Sequence, residues 1–257
     1  MNNKNIVILA GKGYSTNILY NSLKNEFKNL KIIVEEPINK KEFLLKRIKK
    51  LGLWQVAGQI LFQAVIVKLL NRVSKKRKKE IIKQYQLDDS VLPENIVIPV
   101  KSINDEMCLQ NLKTLNPDIV IVNGTRIISN KILNCITAEF INMHVGITPK
   151  YRGVHGGYWA LVNNDKKNFG VTVHVVDSGI DTGKILYQTI ISTDKKDNFV
   201  TYPYLQLAAG IPFMKKTLAE KLDNKISPEI KSSGQSKLWH HPTIWQYLFY
   251  RITKGVK

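Results

Sequence analysis

Short apolar runs broken by Gly, Pro and Asn recur along the chain. Ile6-Val7-Ile8-Leu9-Ala10 is apolar at every position and ends in Gly11, the pattern of a parallel strand buried on both faces. Leu30 to Glu36 reads as a second strand, stopped by Pro37, and Ile96 to Val100 and Asp118 to Val122 read as two more. Helices are expected after Gly13 to about Asn25 and over about Asp105 to Leu115. Asn142-Met143-His144 alternates, so Asn142 and His144 share one face of a strand and Met143 takes the other. Pro149 ends that extended run, Tyr151-Arg152-Gly153 reads as a turn, a helix follows from about Gly157 to Asn163, and Gly170 to Val176 alternates again. Tyr202 to Asp223 reads as a helix interrupted near Gly210-Ile211-Pro212, and Lys225 to Ser236 as a polar linker. Strands alternating with helices predict an α/β fold, a Rossmann-like, mostly parallel sheet with helices on both faces. That domain is expected over residues 1–195, with a helical insert at 40–85, and a helical extension with an aromatic end over 196–257.

The insert changes the picture. Phe43 to Leu51 is amphipathic, Trp54 to Leu70 is apolar apart from glutamines, Gly58 and Lys68, and Ser74 to Lys79 closes the segment with charge. Leu51 to Leu70 approaches the length of a membrane span, but three glutamines and a lysine argue against spanning, and two or three helices fit better. The chain carries a formal net charge of +19, and Lys40 to Lys83 holds fourteen Lys or Arg against Glu42 and Glu80, a local net of +12. A packed insert, on the domain or in a homodimer, accounts for these features, and so does an interfacial hairpin making peripheral contact with an anionic membrane through residues 40–85. The basic clusters lack interleaved aromatics, and no recognition motif accompanies them, which disfavours nucleic acid as a partner.

Cys108 and Cys135 have neither metal spacing nor a disulfide framework, which suits a reducing cytoplasm. Met1-Asn2-Asn3-Lys4-Asn5 leads directly into the first strand, so no signal peptide is expected. His240 and His241 are adjacent and point apart, so no metal is expected there.

Candidate chemistry concentrates between Ile141 and Leu186. Asn142 and His144 stand where a strand end meets a turn, and Asp177-Ser178-Gly179-Ile180-Asp181-Thr182-Gly183 is a carboxylate loop whose glycines permit close approach to a ligand. An amide, an imidazole and a carboxylate can together perform acyl transfer without a covalent nucleophile: the first two stabilise an oxyanion and the third supports the imidazolium. An isolated Asn-x-His pair is more often an ordinary strand end, and only its companions give it weight. His174 is balanced between lining an amine pocket and being a core histidine, and His155 is a candidate substrate contact. Gly11-Lys12-Gly13, with Thr16 and Asn17 on the helix it opens, presents backbone N–H groups and a lysine to a phosphate, or caps a helix. The Gly-x-Gly-x-x-Gly fingerprint is absent.

Asn142-x-His144, Thr148-Pro149-x-Tyr151-Arg152-Gly153, the Gly170-Val-Thr-Val-His174 strand and the Asp177 to Gly183 loop together resemble the folate-dependent formyltransferase family. That family includes glycinamide ribonucleotide formyltransferase, methionyl-tRNA formyltransferase and the nucleotide-sugar N-formyltransferases. The resemblance implies Asn142, His144 and Asp181 as the catalytic trio and 10-formyltetrahydrofolate as formyl donor. It implies donor contacts at Arg126, Ile127 and Ile128, which follow Asn123-Gly124-Thr125, and at Asp177 and Gly179. Substrate contacts would come from Gly11, Lys12, Gly13, Thr16, Asn17, Arg152, His155 and His174. The chain after Ile190 is shorter than the extra barrel domain of methionyl-tRNA formyltransferase, which counts against a tRNA acceptor. The expectation is a cytoplasmic enzyme formylating the amine of a small molecule, a nucleotide-linked amino sugar. Glycinamide ribonucleotide is the alternative acceptor, and a non-catalytic module on the same scaffold is the alternative of another class.

Overall fold

A computed structural model describes residues 4–38, 40–225, 230 and 234–257, with residues 40–42 described by backbone alone. Met1 to Asn3 lie outside the described residues, as do 226–229 and 231–233 of the stretch expected as a linker. The chain begins with β1 (Ile6–Gly11), α1 (Tyr14–Leu23) and β2 (Leu30–Glu35). The insert follows as α2 (Lys40–Leu51), α3 (Leu53–Leu61), a π-helical turn over Phe62–Val67, α4 (Lys68–Val73) and α5 (Lys75–Gln84). Leu53–Val73 is one continuous helix of 21 residues, so the insert is three helices, within the expected number. Next come β3 (Val97–Val100), α6 (Glu106–Leu115), β4 (Ile119–Asn123), α7 (Asn130–Leu133) and β5 (Glu139–His144). The last part contains β6 (Arg152–Gly153), α8 (Gly156–Val162), β7 (Gly170–Val175), β8 (Ile185–Ile190), α9 (Tyr202–Leu222), β9 (Leu238–Trp239) and α10 (Ile244–Lys254).

Seven strands form one sheet in the order β3-β2-β1-β4-β5-β7-β8. The first five are parallel, while β7 and β8 run antiparallel to their neighbours. This is the α/β, mostly parallel arrangement expected from the sequence. Both faces of β1 are buried, with Ile6, Ile8 and Ala10 in the core beneath α1 and α9, and Val7 and Leu9 in the core beneath α6 and α7. Ile8 and Ile121 are fully buried, and each contributes about 1.5–3 kcal/mol by leaving water. Asp105 fixes the start of α6 by accepting the Cys108 N–H at 2.8 Å, as an N-cap does.

Two features differ from the pattern read along the chain. The helix expected to break at Gly210-Ile211-Pro212 is a continuous α9. Gly210 lies against Met143, where an added Cβ would approach Sδ to 2.4 Å, so packing on the sheet holds together what local propensity would interrupt. The strand β8 was not anticipated, because Ile185–Ile190 is an edge strand, buried at its first two positions and increasingly exposed after them.

The connection from β3 through α6 to β4 reverses the direction in which strands are added to β1. Ligands bind α/β sheets at the carboxyl ends of strands flanking such a switch point. Ala10 pairs with Asn123, and Val122 pairs with Asn142. The Gly11 turn and Asn142 therefore share one edge, two strands or about 10 Å apart.

Candidate active site

Alternation along β5 decides which way the side chains face. Met143 enters the core against α9, which puts Asn142 and His144 together on the opposite face. Asp181 reaches them from the loop between β7 and β8, at φ 51°, in the left-handed region that Asp and Asn tolerate better than most residues. Asn142 Nδ2 donates to Asp181 Oδ1 at 3.3 Å, and His144 Nδ1 lies 3.3 Å from Asp181 Oδ2. The three candidate catalytic residues thus converge, with His144 5% and Asp181 12% exposed.

The surrounding hydrogen bonds assign roles. His144 Nε2 is 2.7 Å from the Tyr151 carbonyl, so that nitrogen donates and Nδ1 is left facing the Asp181 carboxylate. Burial pushes the His144 imidazole below its ordinary value, against the opposing pull of Asp181 and the Tyr151 carbonyl. Burial also tends to raise the Asp181 carboxyl, but His144, His174 and the Gly153 N–H outweigh it and hold the group at about 2. At neutral pH the pair is therefore a carboxylate beside an uncharged ring. That ring can accept a proton at Nδ1, where Asp181 stabilises the resulting cation.

His174 pairs with Asn142 across β5 and β7. Its Nδ1 lies 2.8 Å from the Val175 carbonyl, and its Nε2 faces both the Asn142 amide at 3.2 Å and Asp181 Oδ1 at 3.5 Å. His174 is thus placed beside both the amide and the carboxylate.

Backbone groups complete the site, and sequence reading missed them because they carry no residue-type signature. Gly153 N donates to Asp181 Oδ2 at 2.8 Å. β6, which contains Gly153, pairs in parallel with β9, so Leu238 and Trp239 of the aromatic tail hold the segment that holds Asp181. A Cβ on Gly153, at φ 90°, would come within 2.3 Å of the Trp239 carbonyl. At Gly146 a Cβ would come within 2.5 Å of the Tyr151 carbonyl and 2.6 Å of His144 Nε2, so this glycine allows the ring and carbonyl to meet. Thr172 Oγ1, fully buried, donates to Gly146 O at 2.7 Å and accepts from Thr148 N at 3.2 Å.

The other candidates distribute around this centre. Arg152 donates to the Ile180 carbonyl at 2.8 Å and braces the Asp181 loop. Asp177 Oδ1 accepts from Gly179 N at 3.0 Å and from Thr182 Oγ1 at 2.7 Å, so it shapes the same loop. Arg126 N donates to Glu35 Oε1 at 2.8 Å, and the Ile127 carbonyl accepts from Asn104 at 2.8 Å. Those contacts pin the loop after β4, with Ile128 buried and Ile127 63% exposed. Glu35 is a structural residue that its position at the end of a strand did not announce. Gly11 lies so near the Gly124 carbonyl that a Cβ would approach it to 2.5 Å. Lys12 and Gly13 are exposed in the turn before α1. Thr16 Oγ1 donates to Gly11 O at 2.6 Å and accepts from Asn123 at 2.9 Å, while Asn17 donates to Asp89 O. His155 packs its ring, tilted, 4.1 Å from that of Phe199 and, edge-on, 4.9 Å from that of His241. Among the described residues no group of three His, Cys, Asp or Glu could hold a metal ion.

A buried imidazole with a half-buried amide and carboxylate, at the carboxyl edge of a doubly wound sheet, is an arrangement able to support acyl transfer. The family model described as formyl transferase matches residues 57–204, more than half of the chain. The chain belongs to the formyl transferase family. Among curated relatives, methionyl-tRNA formyltransferase of Thermodesulfovibrio yellowstonii is 34% identical over 130 residues, covering 50% of this chain and 42% of that protein. The enzyme of the same name from Finegoldia magna is 40% identical over 101 residues, covering 39% of this chain and 32% of that protein. The matches span half or less of the length of these curated relatives. Among solved structures, an N-formyltransferase from Helicobacter canadensis, in complex with folinic acid and dTDP-3-aminofucose, superimposes with a TM-score of 0.55 at 21% identity. That match covers 91% of this chain and 70% of the other. Phosphoribosylglycinamide formyltransferase from Anaplasma phagocytophilum gives 0.56 at 17% identity, covering 92% and 96%. These structures share the fold.

Proposed function

We propose that the chain is an N-formyltransferase that moves the formyl group of 10-formyltetrahydrofolate to the primary amine of a nucleotide-linked amino sugar. The observation that carries this reading is the convergence of Asn142, His144 and Asp181, an amide donor, a neutral imidazole and a low-pKa carboxylate, within 3.3 Å contacts. The residues fit the donor: its formyl oxygen needs an N–H donor, which Asn142 supplies, and exposed Ile127 offers an apolar surface to a flat ring. When bound, the donor supplies an electrophilic formyl carbon.

The chain's own residues would then do the following. Asn142 exchanges one of its contacts to Asp181 or His174 for the developing oxyanion. His144 takes the proton released by the attacking amine at Nδ1, with Asp181 holding the imidazolium in place, and would return it to the donor's leaving nitrogen as the bond from that nitrogen to the formyl carbon breaks. In this reading the resting ring is uncharged, where the sequence alone suggested a protonated one, since burial lowers its pKa. The Gly11 to Gly13 turn, on the same edge as Asn142, suits a phosphate or diphosphate. A nucleotide-linked amino sugar as acceptor and cytoplasmic residence belong to this reading.

A second acceptor is favoured by one specific observation, namely that the curated relatives are methionyl-tRNA formyltransferases. Incubation with 10-formyltetrahydrofolate and, in parallel, a dTDP-linked amino sugar, glycinamide ribonucleotide or methionyl-tRNA separates the acceptors. Formylation of the sugar nucleotide is expected. Transfer to methionyl-tRNA or glycinamide ribonucleotide alone would replace the acceptor, and transfer to none of the three would remove the reading.

A further inference from the structure

We infer that the insert and the tail together form a docking surface for an anionic lipid bilayer. The observation is an unpartnered apolar face built from two helices and bordered by cations. On the helix Leu53–Val73, the residues Leu53, Trp54, Ile60, Leu61, Val65 and Leu69 are exposed, with Trp54 at 81%. On α10, exposed Trp245, Leu248, Phe249 and Ile252 follow the i, i+3, i+4, i+7 spacing of one helical stripe, with Ile252 at 83%. The two stripes adjoin where Trp245 lies over Gly58, since a Cβ there would come within 2.3 Å of the indole. Large apolar side chains collected on one surface mark an interaction site.

The opposite face of the long helix is committed to protein. Gln59 is buried, accepts from Arg47 Nε at 3.0 Å and donates to the His241 carbonyl at 2.8 Å. Gln63 Nε2 lies 2.9 Å from His241 Nδ1. The helix is long and apolar enough to cross a membrane, but these contacts tie one side of it to α2 and the tail. It therefore lies along a surface, apolar face outward, as an interfacial helix does.

Charge selects the occupant. The apolar stretch gives way to Lys68, Arg72, Lys75, Lys76 and Lys79, with Lys49 and Lys50 on α2. A cavity of about 380 Å³ opens at the junction of α4, α5 and the chain's end, lined by Lys76, Lys196, Arg251 and Lys257, with Arg77 also in its wall but ion-paired with Asp197 and with Glu80, the acidic residue among the walls. A second copy of this chain would bring one region of net charge +12 against another. Nucleic acid would satisfy the cations and leave the apolar stripe in water. Anionic lipid satisfies both: headgroup phosphates meet the lysines and the cavity, and the stripe enters the acyl boundary.

The test is sedimentation of the full chain with phosphatidylcholine vesicles containing 30% phosphatidylglycerol, at about physiological salt. Phosphatidylcholine vesicles alone serve as the comparison. Binding to the anionic vesicles is expected, weakened by salt and roughly 100-fold by Lys75→Gln/Lys76→Gln/Lys79→Gln, each lysine contributing about a fivefold factor. Trp54→Glu/Ile252→Glu should also lose binding while keeping its circular dichroism spectrum. Bound protein should be released by alkaline carbonate, as a peripheral protein is. No binding to anionic vesicles, equal binding to neutral ones, or unchanged binding by both variants would overturn the proposal. So would lipid-free dimerisation abolished by Trp54→Glu, which would make the face an interface between copies, or resistance to carbonate, which would make the helix a membrane span.

Discussion

The carboxyl edge of the sheet and the insert–tail layer break the ordinary rules of packing in opposite directions. At the edge, polar groups are buried or half-buried and turned on one another, Asn142 to Asp181 and His174, and His144 to Asp181 and the Tyr151 carbonyl. In the layer, Trp54, Phe249 and Ile252 stand in solvent beside a dense cluster of lysines. Each arrangement is unfavourable to the isolated chain, and each makes sense with a partner, a reacting amine in the first case and a charged apolar boundary in the second. The comparison also shows how the regions are joined. β9 pairs at Gly153 with the segment that holds Asp181, and α10 begins five residues later and carries the exposed stripe.

The largest effect should come from removing the polar convergence. Asn142→Ala should lower kcat by about 10²–10³-fold, as loss of an oxyanion donor does, with little change in the melting temperature. A variant that melts normally and turns over normally would leave the buried trio without a function. Gly146→Ala comes next. Its Cβ has to push apart His144 Nε2 and the Tyr151 carbonyl, and a displacement of this kind can cost up to ~10²-fold in kcat with KM nearly unchanged. An unaltered kcat would mean that the ring is positioned by other contacts.

How much of this was legible follows from which atoms carry it. The β1, β2 and β4 runs announce themselves because parallel strands are apolar on both faces. Asn142 and His144 were legible as a pair because Met143 between them takes the core face. Asp181 was found through its glycine-bounded loop and the family resemblance. The Tyr151 carbonyl and the Gly153 N–H were invisible, because any residue supplies such groups. His155 illustrates the reverse, a conspicuous side chain among glycines that the fold turns into the aromatic layer with Phe199 and His241. The continuity of α9 through Pro212 depends on a sheet contact at Gly210 that no local pattern encodes.

The aromatic layer should make stability acid-sensitive. Burial pushes the His155 imidazole well below its ordinary value, and burial with nearby Arg47 and His240 holds His241 at about 4. Both rings are neutral in the folded protein, whereas in the unfolded chain they take up protons below about pH 6.5. Stability is therefore retained above that pH and falls as pH drops from about 6.5 toward 4, with His241 alone accounting for up to ~3 kcal/mol. Asp181, held near 2, contributes stability that is present above about pH 4 and lost only in stronger acid. Melting curves against pH for wild type and His241→Gln check this, and parallel curves would refute the assignment to His241.

Activity should have its own acid limb. A neutral His144 is required to accept the amine proton, and its pKa is lowered, so kcat/KM should stay high down to pH values below about 6.5 before falling. A profile already falling above pH 7 would mean that another group titrates. The smallest effect belongs to the exposed layer, where Trp54→Glu should alter stability by no more than about 0.5 kcal/mol and leave transfer to a soluble acceptor unchanged.

The most direct measurement is single-turnover formyl transfer by wild type and Asp181→Asn, with donor binding measured separately by calorimetry. The substitution keeps the shape of the side chain and its contact to Gly153, but removes the charge facing His144. The expected result is unchanged donor binding with transfer slowed by more than ~10²-fold. Transfer at the wild-type rate by Asp181→Asn would contradict a catalytic role for the Asn142, His144 and Asp181 trio.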